Sequence, residues 1–344
     1  MDSFLPNYRD PIFSILIILL TALAISMVAY WWNLYRQDRL KRDLFNFLDR
    51  FDTSECMLDS QNLPYEEGMT KPLLMLARAF EQSGEYDKAI SICLYLIKHT
   101  KDDEILLYLA KVYMHAGLLK RAEEIFLEVL SRYPRRKELL YQLELLYENL
   151  HDYNSANDAL NSLEALGEDV LHLRYYIEYL QTISNKEITP KEKASKLYSL
   201  LQKEPTLYRA IIKQLFSLDT SMAWSLIDKQ KIMDIIDILW YLPYSQLQLD
   251  IISNETTLNA IYFGRGDIDR FDNQRCGIFA IDTLCASRKG GYREGDLLFT
   301  YLCIDCKQTF PVSFDRCPSC MALNSIKVEE TLAKRQTKRG EALL

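Results

Sequence analysis

Glycine and proline are scarce in this chain, with 11 and 10 among 344 residues, and long segments run without either. A fold of short strands and tight turns needs many such breakers, so their scarcity favours helices. An excess of positive charge is also missing. The net charge is −7 and no basic stripe interleaved with aromatics occurs, which removes the electrostatic footprint of a nucleic-acid binder. Catalytic groupings are equally thin: His99, His115, His151 and His172 have no acidic or cysteine partner at a recognisable ligand spacing, so no enzyme is expected. What remains is an ordinary globular balance, 49% hydrophobic and 26% charged, that must be read for its organisation.

Charge is absent from Pro11 to Trp32, and Ile12 to Tyr30 is a 19-residue run interrupted only by Ser14, Thr21 and Ser26. That length crosses a hydrocarbon core as a helix. Tyr30, Trp31 and Trp32 stand at its edge, where amphipathic rings favour the interface. A cleaved signal peptide is the competing reading, because Ala22-Leu23-Ala24 mimics a cleavage site. Asp2, Arg9 and Asp10 do not make a positive leader, however, and the apolar run continues past Ala24, so a retained anchor over 11–32 is expected. Arg36, Arg39, Lys41 and Arg42 flank one end and only Arg9 the other, which places residues 33–344 in the cytoplasm. A reducing compartment in turn keeps cysteines free for metal. Residues 33–69 read as a juxtamembrane helix and loop, with Leu40, Leu44, Phe47, Leu48 and Phe51 forming a face expected to meet the first repeat.

The chain then repeats itself. Leu76-Ala77-x-x-Phe80-x-x-x-Gly84 is followed by Tyr86, Ala89, Cys93 and Leu96. Thirty-three residues on, Leu109-Ala110-x-x-Tyr113-x-x-x-Gly117 is followed by Ala122, Phe126, Val129 and Pro134. A third copy, 34 residues further, has Leu143, Tyr147, Tyr153, Ala156, Leu160 and Leu163, but Glu144 replaces the alanine and His151 the glycine. Small residues let paired helices approach, large ones fill the gap to the next pair, and glycine relieves the turn. Pattern and period resemble the tetratricopeptide repeat. An α-solenoid is therefore expected over 70–260, degenerate after about 170, with helices over 170–183, 206–218, 221–228 and 230–241. Such solenoids bind proteins on their surface. Lys111, Arg132, Arg135, Arg136 and Arg174 offer charges to a partner or simply face solvent.

Six glycines fall between 261 and 300, and the segment reads as a connector without helical periodicity, docked by Ile278, Phe279, Ile281 and Leu284. Arg265-Gly266-Asp267 spells an adhesion tripeptide but lies in the expected cytoplasmic part, and Cys276 and Cys285 read as structural thiols. The strongest chemical signal follows. Cys303-Ile304-Asp305-Cys306 and Cys317-Pro318-Ser319-Cys320 are two Cys-x-x-Cys pairs ten residues apart, holding half of the eight cysteines. Two such knuckles complete a tetrahedral all-sulfur shell for one Zn²⁺ or iron ion, zinc being favoured. With strands expected at Leu297–Leu302, Phe310–Val312 and Ser325–Val328, residues 301–330 form a zinc-ribbon or rubredoxin-like module that takes folding energy from its metal. A basic tail, 331–344, ends the chain.

Anchor, repeats and four-cysteine module together resemble the lipopolysaccharide assembly protein B family of Gram-negative bacteria. The likeness is carried by Leu109-Ala110-Lys111-Val112-Tyr113-Met114-His115-Ala116-Gly117-Leu118, Arg121-Ala122-Glu123, Cys317-Pro318-Ser319-Cys320 and Ser325-Ile326-Lys327. It implies an inner-membrane adaptor with residues 1–10 periplasmic. Its partners would be a membrane-anchored AAA protease and the deacetylase of the lipid A pathway, whose proteolysis it assists. The resemblance also implies a module packed on the repeats. Lys307 follows the first knuckle where the family usually has glycine, and Leu323 stands where an aromatic is common. Two other readings stand beside this one: a general scaffold for envelope assembly or secretion, and a redox protein holding iron at the four cysteines.

Overall fold

The structure is a computed structural model that describes Met27, residues 65–271 and residues 274–335. The expected segment 1–10, membrane helix 11–32 and juxtamembrane helix 33–51 lie outside the described residues, Met27 apart, as does the tail from 336. Among the described residues no helix is long and apolar enough to cross a membrane. They form fourteen α-helices and one small sheet, in two compact units divided after Leu118.

In the first unit, a 3-10 turn at Glu67–Met69 leads into α1 (Thr70–Gln82), α2 (Tyr86–His99) and α3 (Asp103–His115). Apolar residues recur at helical spacing: α2 buries Ala89, Ile92, Cys93 and Leu96, so one stripe faces the neighbouring helices. Ala77, Ala89 and Ala110 have no exposed surface, as close helix contact requires. The turn after α1 closes by a pair of bonds, Gly84 N–H to the Glu81 carbonyl (3.0 Å) and Glu85 N–H to that of Phe80 (2.9 Å). This six-to-one closure needs a left-handed residue, and Gly84 supplies it at φ 80°. Tyr108 donates to Glu81 at 2.5 Å, and His115 Nδ1 lies 2.7 Å from the same carboxylate. The side-chain bonds from Tyr108 and His115 hold the Glu81 carboxyl below its usual range despite opposition from burial. His115 thus has an acidic partner that sequence spacing did not reveal.

The second unit opens with α4 (Leu119–Arg132), α5 (Lys137–Asn149), α6 (Tyr153–Ala165), α7 (Leu171–Ser184) and α8 (Pro190–Lys203). The α5–α6 turn closes as the first one does, His151 N–H to the Glu148 carbonyl and Asp152 N–H to that of Tyr147. Here His151 takes φ 57°, a conformation that costs an L residue about 1–2 kcal/mol. Pro190 is tolerated because it opens α8, where Thr189 and Glu192 form a reciprocal cap. α9 (Tyr208–Leu218) and α10 (Thr220–Ser225) follow the expected spans closely. The helix expected over 230–241 is instead a 3-10 segment, Lys229–Ile235, followed by α11 (Ile236–Tyr241). At that break the Asp234 carbonyl accepts from Arg209 Nη1 at 2.5 Å.

The expected loss of helical periodicity after residue 261 is corrected. α12 (Leu249–Ser253) leads to α13 (Thr256–Arg265), which enters that window, and α14 (Phe279–Lys289) lies within it. The glycines punctuate these helices rather than dissolve them: Gly266 ends α13, Gly277 precedes α14, and Gly290 and Gly291 follow it. Ala280, Ile281, Leu284 and Cys285 form the buried stripe of α14, and Cys285 Sγ donates to the Ala260 carbonyl (3.2 Å). Phe279, expected to dock, is 80% exposed. Arg265 of the adhesion-like tripeptide is buried, paired with Asp267, and donates to the carbonyls of Trp240 (2.5 Å) and Leu242 (2.7 Å).

β1 (Gly295–Cys303), β2 (Thr309–Phe310) and β3 (Ile326–Lys334) make an antiparallel sheet of order β2-β1-β3. β3 continues through residues expected to begin the tail, because Thr331 to Lys334 pair with Leu298 to Gly295. One hydrophobic cluster runs from Tyr176 through Trp224 and Trp240 to Phe299, Cys303, Cys317 and Val328. The sheet therefore has no core separate from that of the later helices.

Candidate metal centre

The period of a strand points alternate side chains to one face, and β1 buries Leu297, Phe299, Tyr301 and Cys303 in that rhythm. Cys303 thus ends the strand with its sulfur inward. The chain then turns tightly: Lys307 N–H bonds the Cys303 carbonyl (3.0 Å), and Cys303 N–H bonds the Gln308 carbonyl (2.9 Å). The second knuckle repeats this, with Met321 N–H on the Cys317 carbonyl (3.0 Å) and Cys317 N–H on that of Ala322 (2.9 Å). In both, the first cysteine is buried and the second lies nearer the surface.

The two turns bring four sulfurs together. Cys303, Cys306, Cys317 and Cys320 present Sγ atoms all within 4.8 Å of one another, with 303 to 320 at 3.6 Å and 306 to 317 at 3.7 Å. A tetrahedral ion with metal–sulfur bonds near 2.3 Å requires edges of about 3.8 Å, so the donor set fits one such ion and could bind it. Burial opposes ionisation of Cys303, but the Ser325 hydroxyl (3.2 Å) and the N–H groups of Cys306 and Asp305 outweigh it and lower this thiol, whereas burial raises Cys320. A thiolate at neutral pH is what a cation requires. Cys276 and Cys285 lie apart from the cluster, Cys276 Sγ donating to Asp282 (3.3 Å).

Two buried polar junctions seat the module on the helices. Arg316, just before Cys317, grips Glu148 of α5 through Nε (3.1 Å) and Nη2 (2.5 Å), and its Nη1 donates to the Met321 carbonyl (3.0 Å). Its guanidinium stands over the Tyr176 ring at 5.4 Å, and Glu144 Oε1 lies 3.6 Å from Nη2. Glu144 is 2% exposed, and burial raises its carboxyl to about 7 although Arg316 pulls it down. The other junction is Arg209, which makes two 2.7 Å bonds to Asp237 and one of 2.9 Å to Ser313, while Tyr301 donates to Asp237 at 2.9 Å. Sequence reasoning missed Arg316, Glu148, Arg209 and Asp237. The one visible signal was Glu144, a charge in a slot that holds alanine in the first two repeats. Of the cations noted as candidates for a partner, Arg132 pairs with Glu128 (3.0 Å) and Arg174 with Glu164 (2.7 Å).

The fold and this centre define a helical-repeat protein that carries a four-cysteine module. A family model for the tetratricopeptide repeat matches residues 104–135, covering both α3 and α4. Lipopolysaccharide assembly protein B of Escherichia coli, in strain K12 as in O157:H7, is 30% identical over 162 residues. That alignment spans 41% of this chain and 41% of the relative. Among solved structures, a tetratricopeptide repeat protein from Parabacteroides merdae is 19% identical, with 72% of this chain and 97% of that one covered at a TM-score of 0.38. Residues 104–135 thus match the tetratricopeptide repeat, and part of the chain is similar to lipopolysaccharide assembly protein B, where the sequence resemblance pointed.

Proposed function

We propose that the chain is a non-enzymatic adaptor of the bacterial inner membrane, anchored by residues 11–32 with residues 33–344 in the cytoplasm, which regulates lipopolysaccharide synthesis through protein contacts. Its repeats hold a client or a protease, and by the resemblance these are the lipid A pathway deacetylase and a membrane AAA protease. The observation that carries the reading is the seating of the four-cysteine module on the third repeat through Arg316 and Glu148, which makes that repeat and the module one binding body. Four thiolates fill a tetrahedral shell and leave no position for substrate, which favours a structural ion over a catalytic one. When bound, the ion supplies cross-linking of the two knuckles. Cys303, Cys306, Cys317 and Cys320 would hold it, and the Ser325 hydroxyl favours the thiolate of Cys303. An anchor confines the adaptor to a surface and raises its effective concentration near membrane partners.

Depletion of the protein tests this. Deacetylase half-life and lipopolysaccharide content should both change, and if neither does, the regulatory role fails. In-cell crosslinking followed by mass spectrometry should recover the protease and lose it in Cys317→Ser. Recovery of secretion components instead would assign the scaffold to envelope assembly. Protein purified under metal-balanced conditions should be colourless and contain zinc, whereas a coloured iron protein would favour the redox reading.

A further inference from the structure

We propose that Glu144 is a positioning residue for the cysteine clasp: through Arg316 it makes metal occupancy and packing of α5 against α6 one linked equilibrium. This rests on the metal reading above.

The slot itself is the first observation. Ala77 and Ala110 fill it in the first two repeats with no exposed surface, whereas the repeat that receives the module places a carboxylate there, 2% exposed. Glu144 Oε1 is buried and makes no hydrogen bond, and the cation beside it is Arg316, at 3.6 Å. Glu148, one turn on and 12% exposed along its side chain, takes the rest of the guanidinium fork.

Arg316 in turn belongs to the second knuckle. It precedes Cys317, and it donates to the Met321 carbonyl, whose own residue bonds back to Cys317 through its N–H. Ligation of Cys317 and Cys320 fixes this turn and, with it, the place of the guanidinium. When the turn loosens, Glu148 can reach water but Glu144 cannot. A buried carboxylate without its cation is strongly unfavourable, so α5 must shift from α6 or the carboxylate must take up a proton. Binding linkage is reciprocal: if metal tightens the repeat through Glu144, then Glu144 tightens metal binding by the same factor. An ion pair that only fastened the module would lower stability on removal but leave metal affinity unchanged.

The test is run at pH 8, where Glu144 is charged, on the full chain loaded with Zn²⁺ and the same chain stripped by a chelator, as wild type, Glu144→Ala and Glu144→Gln. Hydrogen exchange is read in α5 and α6, with α2 of the first unit as internal reference, and Zn²⁺ affinity is read by chelator competition. In wild type, stripping should speed exchange in α5 and α6 about tenfold more than in α2. Both variants should lose that excess and bind Zn²⁺ about tenfold more weakly, which is the range seen for groups supporting metal ligands. Unchanged Zn²⁺ affinity in both variants overturns the proposal, as does an equal response of α2, α5 and α6 in wild type. A chain that takes up neither Zn²⁺ nor iron overturns the metal reading, and the coupling falls with it.

Discussion

Lys307 and Met321 occupy the same place in the two knuckles, each following the second cysteine of its pair with φ near 60°, at 62° and 60°. Each N–H returns to the carbonyl of the first cysteine, so the left-handed conformation is built into the turn rather than chosen by the residue. The departure noted at Lys307 therefore changes the cost of the site and not its geometry. Lys307 also recovers part of that cost, since its Nζ donates to the Ile304 carbonyl at 2.6 Å. Lys307→Gly and Met321→Gly should each stabilise the module by about 1 kcal/mol, because glycine adopts positive φ without steric penalty. Chemical denaturation of the metal-loaded chain checks this, and a loss of stability in both variants would contradict it.

Arg209 and Asp237 should behave as a buried pair whose value lies in being complete. Their side chains are 10% and 5% exposed, and Tyr301 and Ser313 of the module bond to them. Asp237→Ala leaves the guanidinium without a counter-charge and should cost about 3–5 kcal/mol. Tyr301→Phe removes one donor to a charged acceptor and should cost about 1.5–3 kcal/mol. Denaturant midpoints decide between them: if Asp237→Ala is the milder change, the pair is not the keystone of this junction.

These junctions mark the limit of what sequence could disclose. Repeat packing was legible because its causes are local: Ala77, Ala110, Gly84 and Gly117 recur at fixed spacing, and each has one physical reason to be small. The four ligands were legible for the same reason, since a tight turn sets the spacing within each cysteine pair. Arg316 and Glu148 are 168 residues apart, and no periodicity links them. α14 escaped notice because its flanking glycines suggested irregular chain, although Ile281, Leu284 and Cys285 already had helical spacing. In sequence, Glu144 was a departure from the small residue of the first two repeats. In the folded chain it is the third repeat's adjustment to what docks on it.

His151 offers a separate check on the repeat turns. It adopts φ 57° where Gly84 and Gly117 adopt 80° and 75°, and its ring touches the Tyr153 hydroxyl at 3.0 Å. That exposed contact contributes little, whereas the left-handed backbone costs about 1–2 kcal/mol. His151→Gly should raise stability by about 1 kcal/mol, read as a higher midpoint with an unchanged slope in denaturant. A lower midpoint would mean that the ring contacts outweigh the strained turn.

The last prediction concerns pH and turns on the sign of one shift. Burial and the neighbouring Glu148 raise Glu144 from 4.5 to about 7, while Arg316 acts in the opposite direction. In that window the folded chain holds a proton that the unfolded chain has released, so stability falls as pH rises. The contribution is fully present below about 4.5, is lost as pH climbs towards 7, and is constant above it. Glu144→Gln keeps the shape and removes the titration, so common effects of pH on the cysteines and other carboxylates cancel when it is compared with wild type. Relative to that variant, wild type should lose on the order of 3 kcal/mol between pH 4.5 and 7, at one pKa unit per 1.36 kcal/mol. Denaturation curves at half-unit steps would show it. Two stability profiles that stay parallel across the window would mean that Glu144 keeps its charge throughout and that Arg316 compensates its burial in full.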